Sequence, residues 1–393
     1  MVKKDLVSMK KTVLDLIPDH LRAVGAYVPG KALKQAERES GMAMIKMASN
    51  ENPFGPSQLA VAAIRDAAAD VHLYPDNEAT ELRIALAQRH HLAAEQIFIG
   101  DGSLGILDIL ARTLLAPGVN CIISERSFIS YPIVTQATGA RLVMAPMQNG
   151  AFDLDGIARC INGDTRVVIL ANPNNPTGSM FDAEAADAFL AQVPEHVLVV
   201  FDEAYSDFAE YFSAQRGGTY SRSMDYVRAG HTNLMVLRTF SKAHGLAGLR
   251  VGYGCGHPSL LQYFARLRNS FSVSGAAQAG ALAALRDEAH IRRTIENNAA
   301  GAAWLLGQLS ELRVKAAPTS TNFIYFETEE DANEVARRIQ AEGVIIRSLV
   351  PWGIPNGLRV TIGTPEQNAK FIAALKVALG QAVGATTAQR SAT

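Results

Sequence analysis

Lys242 stands in the run Arg238-Thr-Phe-Ser-Lys-Ala-His-Gly-Leu-Ala-Gly-Leu-Arg250, with Ser241 beside it and Arg250 eight positions on. A lysine amine attacks a carbonyl carbon only when unprotonated, a state that desolvation and neighbouring cations favour. Three other stretches carry compatible chemistry. Asn172-Pro-Asn-Asn175-Pro-Thr-Gly178 is rich in turn residues and can aim the Asn175 amide into a cleft at the carboxyl end of a sheet. Asp202-Glu-Ala-Tyr205 follows the apolar run Val197–Phe201, so Asp202 ends a buried strand and needs a cation or several donors. Gly100-Asp-Gly102-Ser-Leu-Gly105 opens a helix, where glycines let backbone N–H groups approach a phosphate.

By its letters this glycine motif is also a dinucleotide fingerprint, with Glu125 ending the next strand. A dinucleotide leaves Lys242 without a task, so the phosphate is kept and the dinucleotide set aside. Together the stretches describe a site for pyridoxal phosphate. Its aldehyde needs a primary amine, its pyridine nitrogen a carboxylate, its phenolic oxygen donors, and its phosphate cations and hydroxyls. Lys242 meets the first need, Asp202 the second, and Asn175 with Tyr205 the third. Ser241, Thr239, Arg250 and the helix start at Gly102, Ser103 and Leu104 meet the fourth.

These residues must be positioned by a fold of some size. At 393 residues the chain exceeds what one core usually organises, so two domains are expected. Short apolar strands alternate with helical segments between about residues 57 and 290, the pattern of a mostly parallel sheet covered by helices. Strands are expected at 96–99, 120–124, 141–145, 166–171, 197–202, 234–238 and 251–254, with helices such as 106–115 and 183–192 between them. Beyond Asp287 the pattern becomes α+β: a long helix through Trp304 and Leu312, strands at 322–326, 344–347 and 358–361, a helix over 332–342 and a last helix from Pro365. The expected division is a large cofactor-binding domain at 50–287 and a small domain made of 1–49 and 288–393. The tail 384–393 is expected to fray.

Composition removes several function classes. A net charge of -1 provides no footprint for nucleic acid. Lysines 3, 4, 10 and 11 are interrupted by acidic residues and read as a solvated helix. No apolar run is long enough for a membrane helix, and a cytoplasmic protein is expected. The three cysteines are widely spaced, so neither a disulfide framework nor a metal site is expected. His90 and His91 are adjacent and do not share a helix face.

The chain resembles the fold type I aminotransferases along nearly its whole length, and most closely the histidinol-phosphate aminotransferase family. Besides the lysine segment, the resemblance rests on Ser49-Asn-Glu-Asn-Pro-Phe-Gly-Pro56, Leu73-Tyr-Pro-Asp76, the Asn175 turn, Asp202-Glu-Ala-Tyr-Ser-Asp-Phe208, Thr321-Asn-Phe323 and Leu358-Arg-Val-Thr-Ile-Gly-Thr364. It implies an α/β fold with a seven-stranded, mostly parallel sheet plus a smaller α+β domain. Lys242 would bind the cofactor covalently, Asp202 would pair with the pyridinium, and Asn175 and Tyr205 would hold the ring oxygen. Phe128 would stack on the ring, and Tyr74 would reach the cofactor phosphate of the partner in a homodimer. Arg359 would bind the anionic end of the substrate, assisted by Arg347, Tyr27, Asn50 and Asn322. The implied reaction moves the amino group of histidinol phosphate to 2-oxoglutarate, in histidine biosynthesis.

Three departures from the family pattern bear on substrate: Leu104-Gly105 where an acidic pair is common, Phe271-Ser-Val-Ser274 where asparagines are usual, and Trp352 before Pro355-Asn356. Alternative readings are an aromatic aminotransferase of the same fold, a threonine-phosphate decarboxylase, and a non-catalytic cofactor-binding module. The last lacks any DNA-binding appendage in this chain.

Overall fold

The computed structural model describes residues 12–25, 32–148 and 150–381. The runs Val167-Val-Ile-Leu170 and Leu198-Val-Val-Phe201 are buried on both faces, as expected of strands covered by helices on each side. They lie in a seven-stranded sheet ordered Ile97–Gly100, Gly252–Gly256, Leu234–Thr239, Leu198–Asp202, Thr165–Ala171, Asn120–Ser124, Arg141–Ala145. Gly252–Gly256 is antiparallel to both neighbours, and every other pairing is parallel. The expected architecture is the observed one, with strand ends shifted by a residue or two.

The parallel direction places chemistry at one edge. Ala171 is in register with Asp202, and Asp202 with Leu237, so the segments that carry Asn175, Tyr205 and Lys242 all leave the carboxyl ends of adjacent strands. Helix Ser103–Leu114 starts at the same edge and packs Ile106, Leu107 and Leu110 into the core under the sheet.

The second layer begins with helix Glu288–Glu311, whose N-terminus is capped by the Asp287 carboxylate on the His290 N–H. It leads to an antiparallel four-stranded sheet ordered Lys315–Ala316, Phe323–Glu327, Gly357–Thr361, Arg347–Ser348. Helices Ala332–Ala341 and Pro365–Ala378 cover it, and Ile324, Phe326, Val335, Leu358 and Phe371 share its core.

The expected single strand at 344–347 is divided. Val344–Ile345 pairs in parallel with Ile45–Lys46, whereas Arg347–Ser348 joins the four-stranded sheet. The run Val344-Ile-Ile346 is apolar and leads straight into Arg347, so its pattern shows a strand but not which partner each half takes. Ile45–Lys46, Lys315–Ala316 and the hairpin Met147–Gln148 with Ala151–Phe152 are too short to carry a periodic signal. The N-terminal lysines and the 384–393 tail lie outside the described residues.

Candidate active site

Where the large sheet ends, a cavity of about 270 Å³ opens against the second layer. Asp202 is the last residue of the strand Leu198–Asp202 and is 5% exposed. Its Oδ2 accepts the Tyr131 hydroxyl at 2.8 Å, and its Oδ1 accepts the Ala204 N–H at 3.3 Å. The requirement for several donors is thus met by a phenol and an amide. Burial pushes the Asp202 carboxyl up to about 6, opposed by the Tyr131 hydroxyl, the Ala204 N–H and the charge of Lys242. The adjacent Glu203 turns to the opposite face, where Arg238, Ser221 and Ser223 bind it.

Lys242 leaves the turn after strand Leu234–Thr239. Its Nζ donates to the Ser49 carbonyl at 3.4 Å and lies 5.5 Å from the Tyr205 ring centre. The Tyr205 hydroxyl accepts a hydrogen bond from Asn50 Nδ2 at 2.9 Å. Phe128 meets Tyr131 edge to face at 5.5 Å and contributes to the cavity wall.

The helix start forms an anion cradle. Gly102 adopts φ +90, and a Cβ there would come 2.4 Å from Arg250 Nη2. Glycine therefore lets the guanidinium lie across the first turn. Arg250 itself has φ +52 and donates to Ser241 Oγ at 3.3 Å, and Thr239 Oγ1 donates to the same Ser241 oxygen at 3.0 Å. Ser103, Thr239, Ser241 and Arg250 all line the cavity. This set of two hydroxyls, a third at the helix N-terminus and a guanidinium fits a phosphate. Of the three departures noted in the sequence, Leu104 and Trp352 line the cavity, while a side chain at Gly105 would collide with the Asp101 carboxylate.

The opposite wall comes from the second layer. Arg347 and Arg359 are register partners on antiparallel strands, so their side chains leave the same face side by side. Arg359 donates to Asn175 Oδ1, and through Nη2 to the Ala48 carbonyl at 2.9 Å. Arg347 lies 5.3 Å above the Trp352 ring, whose Nε1 donates to the Ser127 carbonyl at 2.8 Å.

The structure therefore gathers Lys242, Asp202, Tyr205, Asn175, Ser103, Leu104, Phe128, Thr239, Ser241, Arg250, Asn50, Arg347 and Arg359 around one cavity. Gly102 shapes the cradle from behind. Asn322 is set one residue back from its expected place: it does not line the cavity but donates to the Asn50 carbonyl at 3.0 Å. Tyr74 is 82% exposed and stacks on Phe271 with ring centres 4.6 Å apart, away from this chain's own cavity. Tyr27 lies outside the described residues. Tyr131 was missed, although the Phe128-Ile-Ser-Tyr131 spacing could have placed both rings on one side of a helix start. Trp352 was visible only as a departure without a role.

Comparison with known proteins agrees with this geometry. The family Aminotransferase class I and II matches residues 43–375. The histidinol-phosphate aminotransferase of Moorella thermoacetica is 44% identical over 90% of this chain and 90% of its own length. Histidinol-phosphate aminotransferase 2 of Pseudomonas fluorescens is 42% identical over 95% of this chain and 100% of its own. The crystal structure of histidinol-phosphate aminotransferase from Sinorhizobium meliloti in complex with pyridoxal-5'-phosphate superposes with a TM-score of 0.83. It is 27% identical and covers 95% of this chain and 99% of that one. The α/β architecture is thus that of the fold type I aminotransferases. Because the family match spans the lysine turn, the buried carboxylate and both arginine strands, the chain is an aminotransferase and belongs to the class I and II family.

Proposed function

We propose that this chain binds pyridoxal phosphate on Lys242 and transfers the amino group of histidinol phosphate to 2-oxoglutarate. The observation that carries the substrate is the cross-strand pair Arg347 and Arg359, which puts two guanidiniums on the wall facing Lys242. One guanidinium suffices for a carboxylate. A phosphate ester, with more charge and more acceptor oxygens, makes use of two. The relatives of 42 to 44% identity named above carry the same activity in their names.

When bound, the cofactor supplies an electrophilic carbon and a pyridinium that withdraws electrons from the substrate α-carbon. The residues of the chain do the rest. The Lys242 amine would hold the cofactor through that carbon and, once freed, would be placed to take up the substrate's α-proton and pass it on to the cofactor side. Asp202, fixed by Tyr131 and the Ala204 N–H, would keep the ring nitrogen protonated. Asn175 and Tyr205 would hold its ring oxygen, Phe128 would cover the ring, and Ser103, Thr239, Ser241 and Arg250 would bind its phosphate. Arg347 and Arg359, with Tyr27 and Asn50, orient the substrate anion so that its α-hydrogen meets Lys242.

We assign residues 50–287 to the cofactor unit and residues 1–49 with 288–393 to the unit bearing the arginines. The active molecule is a homodimer in which Tyr74 serves the partner's cofactor phosphate. The deciding experiment mixes the loaded enzyme with histidinol phosphate, phenylalanine or threonine phosphate and follows the cofactor's absorbance with product analysis. Conversion to the pyridoxamine form by histidinol phosphate at the highest kcat/KM is the expected result. Preference for phenylalanine, or decarboxylation of threonine phosphate, overturns the reading.

A further inference from the structure

Among the described residues two carboxylates line the cavity, Asp202 and Glu51. Asp202 lies at the buried end of its strand with both oxygens engaged. Glu51 differs in every respect: its side chain is 43% exposed, and its Oε1 accepts a single contact from Lys46 Nζ at 2.8 Å.

The chain between them runs along the substrate side. Lys46 is in parallel register with Ile345, two residues before Arg347. From there the Ala48 carbonyl binds Arg359, the Ser49 carbonyl binds Lys242, and the Asn50 amide binds Tyr205. The ion pair therefore closes a segment in which Ala48, Ser49 and Asn50 each touch a group of the reaction site.

A transaminase must admit two substrates in turn through one cavity. With histidinol phosphate held by the arginines at its phosphate, the far end is an imidazole, which needs an acceptor for its N–H. With glutamate held at its α-carboxylate, the far end is a second carboxylate, which needs a cation. A lone Glu51 would repel glutamate, and a lone Lys46 would have no use for an imidazole. With its lysine 21% and its glutamate 43% exposed, the pair sets Glu51 on the cavity wall and Lys46 one contact behind it, so both charges are at hand and neither is locked away from a substrate.

We propose that Lys46 and Glu51 form a two-way reader of the substrate's far end. Glu51 accepts the imidazole N–H of histidinol phosphate, and Lys46, keeping one N–H on Glu51, donates another to the distal carboxylate of glutamate and of 2-oxoglutarate. This assignment rests on the substrate proposed above, and it makes the pair specificity residues, remote from the proton transfers.

The test measures separate half-reactions of the cofactor-loaded wild type, Glu51→Gln and Lys46→Met with each donor. Glu51→Gln should lower kcat/KM for histidinol phosphate about tenfold, mostly through KM, and shift preference toward glutamate. Lys46→Met should do the reverse, with a loss of about tenfold for glutamate. Glu51→Asp and Lys46→Arg should recover part of each loss, which a fold defect would not. Equal losses on both donors, or none on either, overturn the proposal. A wild type inert toward histidinol phosphate overturns the substrate reading and the imidazole half, while the glutamate arm of Lys46→Met still decides the other half.

Discussion

Arg347 and Arg359 stand side by side on two antiparallel strands, so one substrate anion can meet both. Charge-assisted hydrogen bonds contribute roughly 1.5 to 3 kcal/mol each, so Arg347→Ala should slow histidinol phosphate by about one to two orders of magnitude. Glutamate should suffer less because Arg359 remains, and steady-state kinetics on both donors measures the difference. Tyr131 acts through Asp202. In Tyr131→Phe the carboxylate loses its hydroxyl donor, and the acid limb of the kcat/KM profile should move up by about one pH unit, with faster loss of cofactor on dilution. Asp202→Asn should abolish most turnover, yet stabilise the cofactor-free chain at alkaline pH. The folded carboxyl, raised to about 6, holds its proton more tightly than the unfolded one. Its contribution to stability is therefore fully present below about pH 4 and lost as pH rises through 6. Thermal melts of cofactor-free Asp202→Asn should show a gain of roughly 1 to 3 kcal/mol at pH 8 that shrinks toward pH 4.

At the scale of elements, the anion cradle depends on how closely the strand Gly252–Gly256 approaches the helix start. A Cβ at Gly252 would lie 2.7 Å from the Ser103 nitrogen and 2.9 Å from the Gly102 carbonyl carbon, both backbone atoms with no rotamer to yield. Gly252→Ala should cost roughly 1 to 3 kcal/mol in stability and weaken cofactor binding by equilibrium titration, because the helix N-terminus must move off the phosphate. Beneath the site, Arg238 is buried against Glu203 at 2.8 Å. Removing the arginine strands a carboxylate in the core, so Arg238→Ala should destabilise by about 3 to 5 kcal/mol in a denaturation experiment.

For the whole molecule, Val71, Leu73, Tyr74 and Phe271 are exposed apolar side chains, and the Tyr74 ring stacks on Phe271. In the homodimer proposed above, this is the face that a second copy covers. Sedimentation should show a dimer, and Tyr74→Phe should loosen the cofactor without changing the fold, whereas a fully active monomer would contradict the assignment. The large sheet was legible in the sequence because its central strands are apolar runs set between helical segments. The chemical residues were legible because amine, carboxylate, turn amide and glycine start each stand in a local motif. The arginine pair, the Tyr131–Asp202 bond, the retreat of Asn322 behind Asn50 and the Lys46–Glu51 pair at the rim were not, because each joins residues whose meeting depends on strand register or loop path. Sequence alone determined which functional groups the protein owns and which strands carry them. Only the tertiary structure decided which group faces which, since pairing across a sheet is set by the packing of the whole core and leaves no mark in either strand by itself.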